Sequence, residues 1–245
     1  MGEVIAMLSG KGGTGKTAVC AALATALSKE GKKVLCIDCD AGLRNLDIFL
    51  GMPDTGALSL MDVCSGNYPL SMAAQHPKFK QLSLLTAPVT NGPEDIPQER
   101  FEKMLKKARE EFDYVLLDAP AGLGVGMKLC ASLSDRGILV TIPDPASVRC
   151  AARTVQLLDT MGVKNVRLVV NRTYPEILKA MKTNIDDLMD LIGLPLLGVV
   201  PADPNFSFAA ASGTPMLLYT RRGASPAISR IARRIQGISV PIAIR

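Results

Sequence analysis

The residues Gly10-Lys11-Gly12-Gly13-Thr14-Gly15-Lys16-Thr17 put three kinds of chemistry into eight positions. Glycines let a backbone curl so that successive N–H groups point inward at one anion. Lys16 supplies a cation for the β- and γ-phosphates of a nucleotide, and the Thr17 hydroxyl supplies a ligand for Mg2+. The spacing is G-x-x-x-x-G-K-[ST], in the context that pattern requires. Before it runs Val4-Ile5-Ala6-Met7-Leu8, which reads as a buried parallel strand, and Ala18 to Lys29 reads as a helix. That helix aims its positive N-terminal end at the same anion. The loop, Gly10 through Ala18, predicts a site for a nucleoside triphosphate with Mg2+.

Ligands of open parallel sheets sit beyond the carboxyl ends of the strands, so the next candidates are residues that close apolar runs. Tyr114-Val115-Leu116-Leu117-Asp118 is such a run, and Asp118 stands where phosphate-loop enzymes anchor the Mg2+ shell. Gly122 and Gly124 after it suit a loop that moves with the γ-phosphate. A second run ends Ile37-Asp38-Cys39-Asp40. Its two carboxylates are two residues apart and face one side if the strand persists. One would support the metal shell and the other would orient an attacking water. Asn171 ends Arg167-Leu168-Val169-Val170, and its amide both donates and accepts, as an adenine edge requires. A guanine site calls for a carboxylate after Asn-Lys, which Asn171-Arg172-Thr173 lacks, so ATP is expected. Pro201 and Asp203, also after a strand, are expected to reach the base through their backbone.

These residues need a scaffold, and the chain alternates strand and helix patterns throughout. Strands are expected at 33–38, 82–86, 114–118, 137–142, 166–171 and 196–200. Helices are expected at 58–64, 97–111, 146–161, 184–192 and 224–236, with a loop from Ala119 to Gly126. The fold class is α/β: three layers, a mostly parallel sheet with helices on both faces, of the phosphate-loop NTPase type. At 245 residues one domain spanning 1–245 is the economical reading, with 238–245 as a short tail.

No apolar run approaches 18 residues, and the first one is five residues long, so neither a membrane span nor a signal peptide is expected and the chain is placed in the cytoplasm. Its six cysteines lie mostly in apolar segments, as reduced core thiols do. Cys36 and Cys39 are three apart on a strand and so face opposite sides, which argues against a shared metal. Net charge is +5, unevenly placed. No acidic residue follows Asp203, while Arg221, Arg222, Arg230, Arg233, Arg234 and Arg245 do. Without those six, 22 basic residues face 23 acidic ones, a net of −1. The asymmetry points to an anionic surface, lipid or nucleic acid, or to a solvated face.

Lys11 is unnecessary to the generic cradle, and with it the loop resembles the deviant Walker A loop of the MinD/ParA family of dimerising ATPases. Gly42-Leu43-Arg44-Asn45-Leu46-Asp47 is similar to the first switch of the MinD branch, the septum-site-determining ATPases. Asp118-Ala119-Pro120-Ala121-Gly122 is similar to its second switch, with Ala119 where the family usually has Ser. Pro145 to Arg149, the segment around Asn171-Arg172, and Ile185 to Leu188 through Gly198 to Pro201 follow in order. The resemblance covers about residues 2 to 237. It implies an α/β sheet of the SIMIBI type and slow ATP hydrolysis completed in an ATP-bound homodimer. Lys11 would reach the partner's phosphates, and Asp40 would position the water. Asp38 and Asp118 would lie in or near the metal shell, with Asn171 on adenine. It further implies recruitment of a division inhibitor of the MinC type and a partner that stimulates hydrolysis.

Two other outcomes stay open. A ParA-like ATPase would use the arginine-rich last quarter on nonspecific DNA, and a metal-cluster carrier would place paired cysteines at a dimer interface. The MinD branch usually ends in an amphipathic membrane helix rich in Lys, Phe and Leu. Here Ile228, Ile231, Ala232 and Ile235 share a face expected to pack on the sheet, opposite Arg230, Arg233 and Arg234. Peripheral contact with the inner face of the cell membrane is therefore implied by the family and only weakly by these residues.

Overall fold

The computed structural model describes residues 1–41, 44–53, 56–88, 93–180 and 183–242. The elements run β1 (Glu3–Leu8), α1 (Lys16–Lys29), β2 (Val34–Asp38), α2 (Leu46–Leu50), α3 (Leu60–Cys64), β3 (Ala74–Gln75), β4 (Leu82–Leu85), α4 (Gln98–Glu111), β5 (Tyr114–Asp118) and α5 (Val125–Ser132). They continue β6 (Arg136–Thr141), α6 (Pro145–Thr160), β7 (Val166–Thr173), α7 (Pro175–Ala180), α8 (Ile185–Ile192), β8 (Leu196–Pro201), α9 (Asn205–Ala211), α10 (Met216–Tyr219) and α11 (Ser225–Ile235).

The strands form one sheet in the order β3-β4-β2-β5-β1-β6-β7-β8. Every pairing is parallel except that of the two-residue β3 with β4. The inner strands are apolar on both sides because both faces are covered. On one face Ile5, Met7, Cys36, Leu116, Ile138 and Val169 meet α1 and α11. On the other, Val4, Ala6, Leu8, Ile37, Cys39 and Leu117 meet residues of α4, α5, α6 and α8. Alternate residues of one strand thus enter two different cores. Cys36 and Cys39 fall on opposite faces as their spacing predicts.

Helix α1 is buried along almost its whole length, from Ala18 to Ser28. A helix so enclosed is fixed by tertiary contact all round, and its first residues cannot drift. Lys29 and Glu30 are its first exposed residues. Helix α11 buries Ile228, Ile231, Ala232 and Ile235 against α1 and β8, so the apolar face is spent on the sheet as expected. Arg234 is not free on the outer face, a correction to the sequence reading. Its Nη1 donates to Leu197 O at 2.8 Å and its Nε to Val240 O at 2.9 Å. Short helices at α5, α7, α9 and α10 were not expected. Among the described residues no helix is long and apolar enough to cross a membrane.

Strand β1 lies between β5 and β6, with β2 beyond β5 and β7 beyond β6. The chain therefore leaves β1 for one half of the sheet and later fills the other half. Crevices open at such a reversal of strand order, and the loop after β1 sits in it.

Candidate functional site

The loop between β1 and α1 is held by two glycines in the left-handed region, Gly13 at φ 83° and Gly15 at φ 84°. Gly15 is also the residue that opens α1, and a Cβ there would run into Asn171 Nδ2. No Cβ-bearing residue fits that place without displacing Asn171. Gly12 and Gly13 face open space on the side where a ligand would lie. Gly10 has another duty, since a Cβ there would collide with Thr154 Oγ1 and Cys150 O of α6. It seats the loop on that helix and does not line the cavity.

That cavity, about 610 Å3, lies at the carboxyl ends of the strands. Its lining includes Gly12, Gly13, Thr14, Gly15, Lys16, Thr17, Ala18, Asp40, Phe49, Ala121, Asn171, Arg172, Tyr174, Pro201, Asp203 and Phe206. The predicted residues from Gly12 to Ala18, with Asp40, Asn171, Pro201 and Asp203, thus converge on one volume. A void of this size, lined by polar groups and aromatic rings together, suits a nucleotide.

Lys16 lies at the floor, 5% exposed, with its Nζ 2.5 Å from Asp118 Oδ1. Burial disfavours the ammonium, but the Asp118 carboxylate outweighs it and the lysine stays charged with a raised pKa. The second oxygen, Asp118 Oδ2, is buried with no hydrogen-bond partner among the described residues, as are Ser9 Oγ and Thr14 Oγ1. Orphaned buried polar atoms cost about 1–3 kcal/mol each, so three around one loop mark a place built for polar company. Asp118 Oδ2 with the Thr17 hydroxyl is a donor set of the hard-oxygen kind that Mg2+ takes, most of its shell being water and phosphate.

Asp38 and Asp40 differ in role. Asp38 is buried, its Oδ1 accepting from Asp40 N at 2.9 Å and its Oδ2 from Leu46 N at 3.2 Å. Oδ1 thus closes the turn after β2 and Oδ2 holds the start of α2, and Asp38 does not line the cavity. Asp38 pairs in register with Asp118 on the adjacent strand. Burial and the Asp118 charge push its pKa up to about 7. Asp40, past the strand end, does line the cavity, and burial raises its pKa as well. Of the first switch, Gly42 and Leu43 lie outside the described residues. In the second, Gly122 N donates to Ser9 O at 2.9 Å, tying that loop to the end of β1.

Asn171 sits under the loop, its Nδ2 donating to Thr14 O at 2.8 Å. One N–H is thus committed to the loop, which leaves Oδ1 and the other N–H for a base. Asp203 uses its side chain structurally. Oδ1 accepts from Asn205 N at 2.9 Å, and Oδ2 from Ala224 N at 2.8 Å, so it joins the starts of α9 and α11. Asp203 as a whole lines the cavity while its carboxylate is engaged in these two contacts. Lys11 lies outside the cavity, its side chain 47% exposed and 4.0 Å from Asp144 Oδ1. At that exposure the pair is screened and leaves the lysine movable. Asp144 itself caps α6 through Ala146 N and Ser147 N, both at 3.1 Å.

Residues 5–216 match the family profile described as the CobQ/CobB/MinD/ParA nucleotide binding domain, CbiA. The chain belongs to this family. Within it, the chain is 38% identical to the septum site-determining protein MinD of Bacillus subtilis, covering 100% of this chain and 92% of that one. It superposes with TM-score 0.91, at 35% identity and 98% of both chains, on the structure of a MinC:MinD cell division complex of Aquifex aeolicus. A structure of the Pyrococcus horikoshii septum site-determining protein with Mg-ADP matches at TM-score 0.82 and 28% identity, over 96% of both chains. The MinD-branch resemblance read from Lys11 and the 42–47 run is borne out. Sequence reasoning missed Arg172, Tyr174 and Phe206 as cavity residues. The rule that ligands gather after strands had already pointed at Asn171, and extending it by three residues would have found the first two.

Proposed function

We propose that this chain is a MinD-like ATPase that dimerises on ATP, acts in division-site placement by recruiting a MinC-like inhibitor, and is reset by hydrolysis. The single observation that carries the reading is the contrast between two lysines. Lys16 is buried at the cavity floor, while Lys11 stands outside it on a solvated side chain. A cation excluded from its own site is placed to complete a neighbour's.

In the proposed cycle Lys16 leaves Asp118 for the β- and γ-phosphates. The loop amides from Gly12 to Thr17 cradle the same groups. Thr17 and Asp118 Oδ2 would hold Mg2+, which neutralises charge on the phosphates when bound. Asp40 orients the attacking water, and Lys11 of the second copy offsets charge on the γ-phosphate in the manner of an arginine finger. Asn171 takes the adenine edge. Hydrolysis removes the γ-phosphate that both copies grip, so the dimer lets go.

A hydrolysis-stimulating partner and contact with the inner face of the membrane belong to the same proposal. Because α11 spends its apolar face on the sheet, membrane contact through the described residues would fall to exposed arginines such as Arg221, Arg222 and Arg233. The DNA reading has less support, since full-length relatives at 32% and 38% identity are septum-site-determining proteins. Light scattering tests the dimer: ATP should double the mass, and Asp40→Asn should hold the doubled mass while turnover falls about a hundredfold. A variant that stays monomeric with ATP bound would overturn it. Sedimentation with anionic liposomes, with DNA retention alongside, decides the surface.

A further inference from the structure

Among the described residues a second cavity, also about 610 Å3, opens at the opposite end of the sheet from the phosphate loop. Glu3, Tyr114 and Arg136 are the first residues of β1, β5 and β6, Arg167 is the second of β7, and all four line it. The side-chain period of two decides which face each takes. Ile5, Leu116, Ile138 and Val169, two residues further along, enter the core under α1 and α11, so the four polar residues point to that same face. A sheet covered on both faces has no use for such a row in its core. It is accommodated because α11 ends at Ile235 and leaves the strand starts to a cavity that Gly237 and Ser239 border.

Glu3 is the single carboxylate among the described lining residues, and it is taken by Arg136, whose Nη2 lies 2.7 Å from its Oε1. Arg136 also donates to Ile235 O at 3.1 Å, so its charge is used twice. Asp135, just before β6, serves Val4 N and Arg109. Two guanidinium groups of the lining are left without a carboxylate. Arg167 has no hydrogen-bond or ion-pair partner among the described residues. Arg234 meets only carbonyls, Leu197 O, Val240 O and Pro241 O, which fix its plane and leave N–H groups over. Burial and the nearby Arg230 lower its pKa, as suits a cation with no anion beside it. Two uncancelled cations on one cavity repel each other and call for a dianion. A phosphate monoester carries nearly that charge at neutral pH, and its oxygens match the guanidinium fork. The cavity has room for more than the phosphate, and the Tyr114 and Ser239 hydroxyls have no hydrogen-bond partner among the described residues. We propose that this cavity binds a phosphate monoester with a hydroxylated body, its phosphate held between Arg167 and Arg234.

The site shares no lining residue with the nucleotide cavity and does not depend on how that cavity is read. Arg167 is exposed, so Arg167→Gln removes its charge without touching the core. Binding of glycerol 3-phosphate is measured by calorimetry with Mg-ADP present, which keeps the ester off the phosphate loop. Arg167→Gln should bind it about tenfold more weakly than wild type. Arg153→Gln, which removes an exposed charge from α6 on the other face, should bind as wild type does. Vesicles carrying phosphatidic acid present the same group on a lipid. Sedimentation with them that falls in Arg167→Gln but not in Arg153→Gln would make the ester a lipid headgroup, and a response in the soluble titration alone would make it a free metabolite. Either bears the site out. Wild type binding neither probe would overturn the proposal, as would unchanged affinity in Arg167→Gln. So would an equal loss in both variants, which reduces the site to general surface charge, or binding that Mg-ADP abolishes, which returns the phosphate to the loop after β1.

Discussion

The Lys16–Asp118 pair concentrates the chemistry of the site in two side chains. Both are buried, and among the described residues each is the other's only charged contact at hydrogen-bond distance. Breaking such a pair by removing one charge leaves the other uncompensated, at a cost of roughly 3–5 kcal/mol. Asp118→Asn should therefore lower the unfolding free energy of the ligand-free protein by at least about 3 kcal/mol, read from urea titration. A loss below about 1 kcal/mol would mean that Lys16 finds solvent easily and that the floor is not dry. Asp40, only partly buried at the cavity wall, should cost little stability when changed to Asn while removing turnover.

At the scale of elements, His76 ties the hairpin of β3 and β4 to α2. Its Nδ1 accepts from Lys78 N at 3.0 Å and Phe79 N at 3.1 Å, and its Nε2–H donates to Leu50 O at 2.9 Å. Protonation would aim a new N–H at two donors, and burial lowers the pKa further from its ordinary 6.5. Below about 6.5 the unfolded chain takes a proton that the folded one resists, so stability is lost as pH falls. The stability of wild type minus that of His76→Gln should grow from pH 5 to pH 7, and a constant difference would refute the assignment. Elements differed in how well the sequence revealed them. Strand β5 was legible to the residue because four apolar residues and an Asp end it. Helix α9, Asn205–Ala211, and helix α5 were not, since pieces this short owe their stability to packing and not to propensity. Within the site, Lys16, Thr17 and Asp118 could be read from spacing. The commitment of Asp38 to α2 and of Asn171 to Thr14 O could not, because both are contacts between distant segments.

For the whole molecule, the reading predicts that one complete site needs two chains. Lys11→Ala should leave stability within about 0.5 kcal/mol, since the side chain is solvated. It should retain ATP binding and lose hydrolysis. Mixing Lys11→Ala with Asp40→Asn gives a sharper outcome. In the mixed dimer one site has an intact Asp40 from the first variant and an intact Lys11 from the second. Two inactive preparations should thus regain a substantial part of wild-type turnover when combined. Failure to regain any would place Lys11 in its own protomer's site.

The ion pair on the cavity floor also bears on how fast a nucleotide arrives. A lysine already neutralised by a carboxylate draws incoming phosphate weakly, and it must let go before it can grip. Association should then be limited by that exchange and not by collision, with a rate constant that changes little with ionic strength. Stopped-flow mixing with a fluorescent ATP analogue reads it directly. Asp118→Asn, in which nothing need be released, should capture the nucleotide faster while holding it for a shorter time.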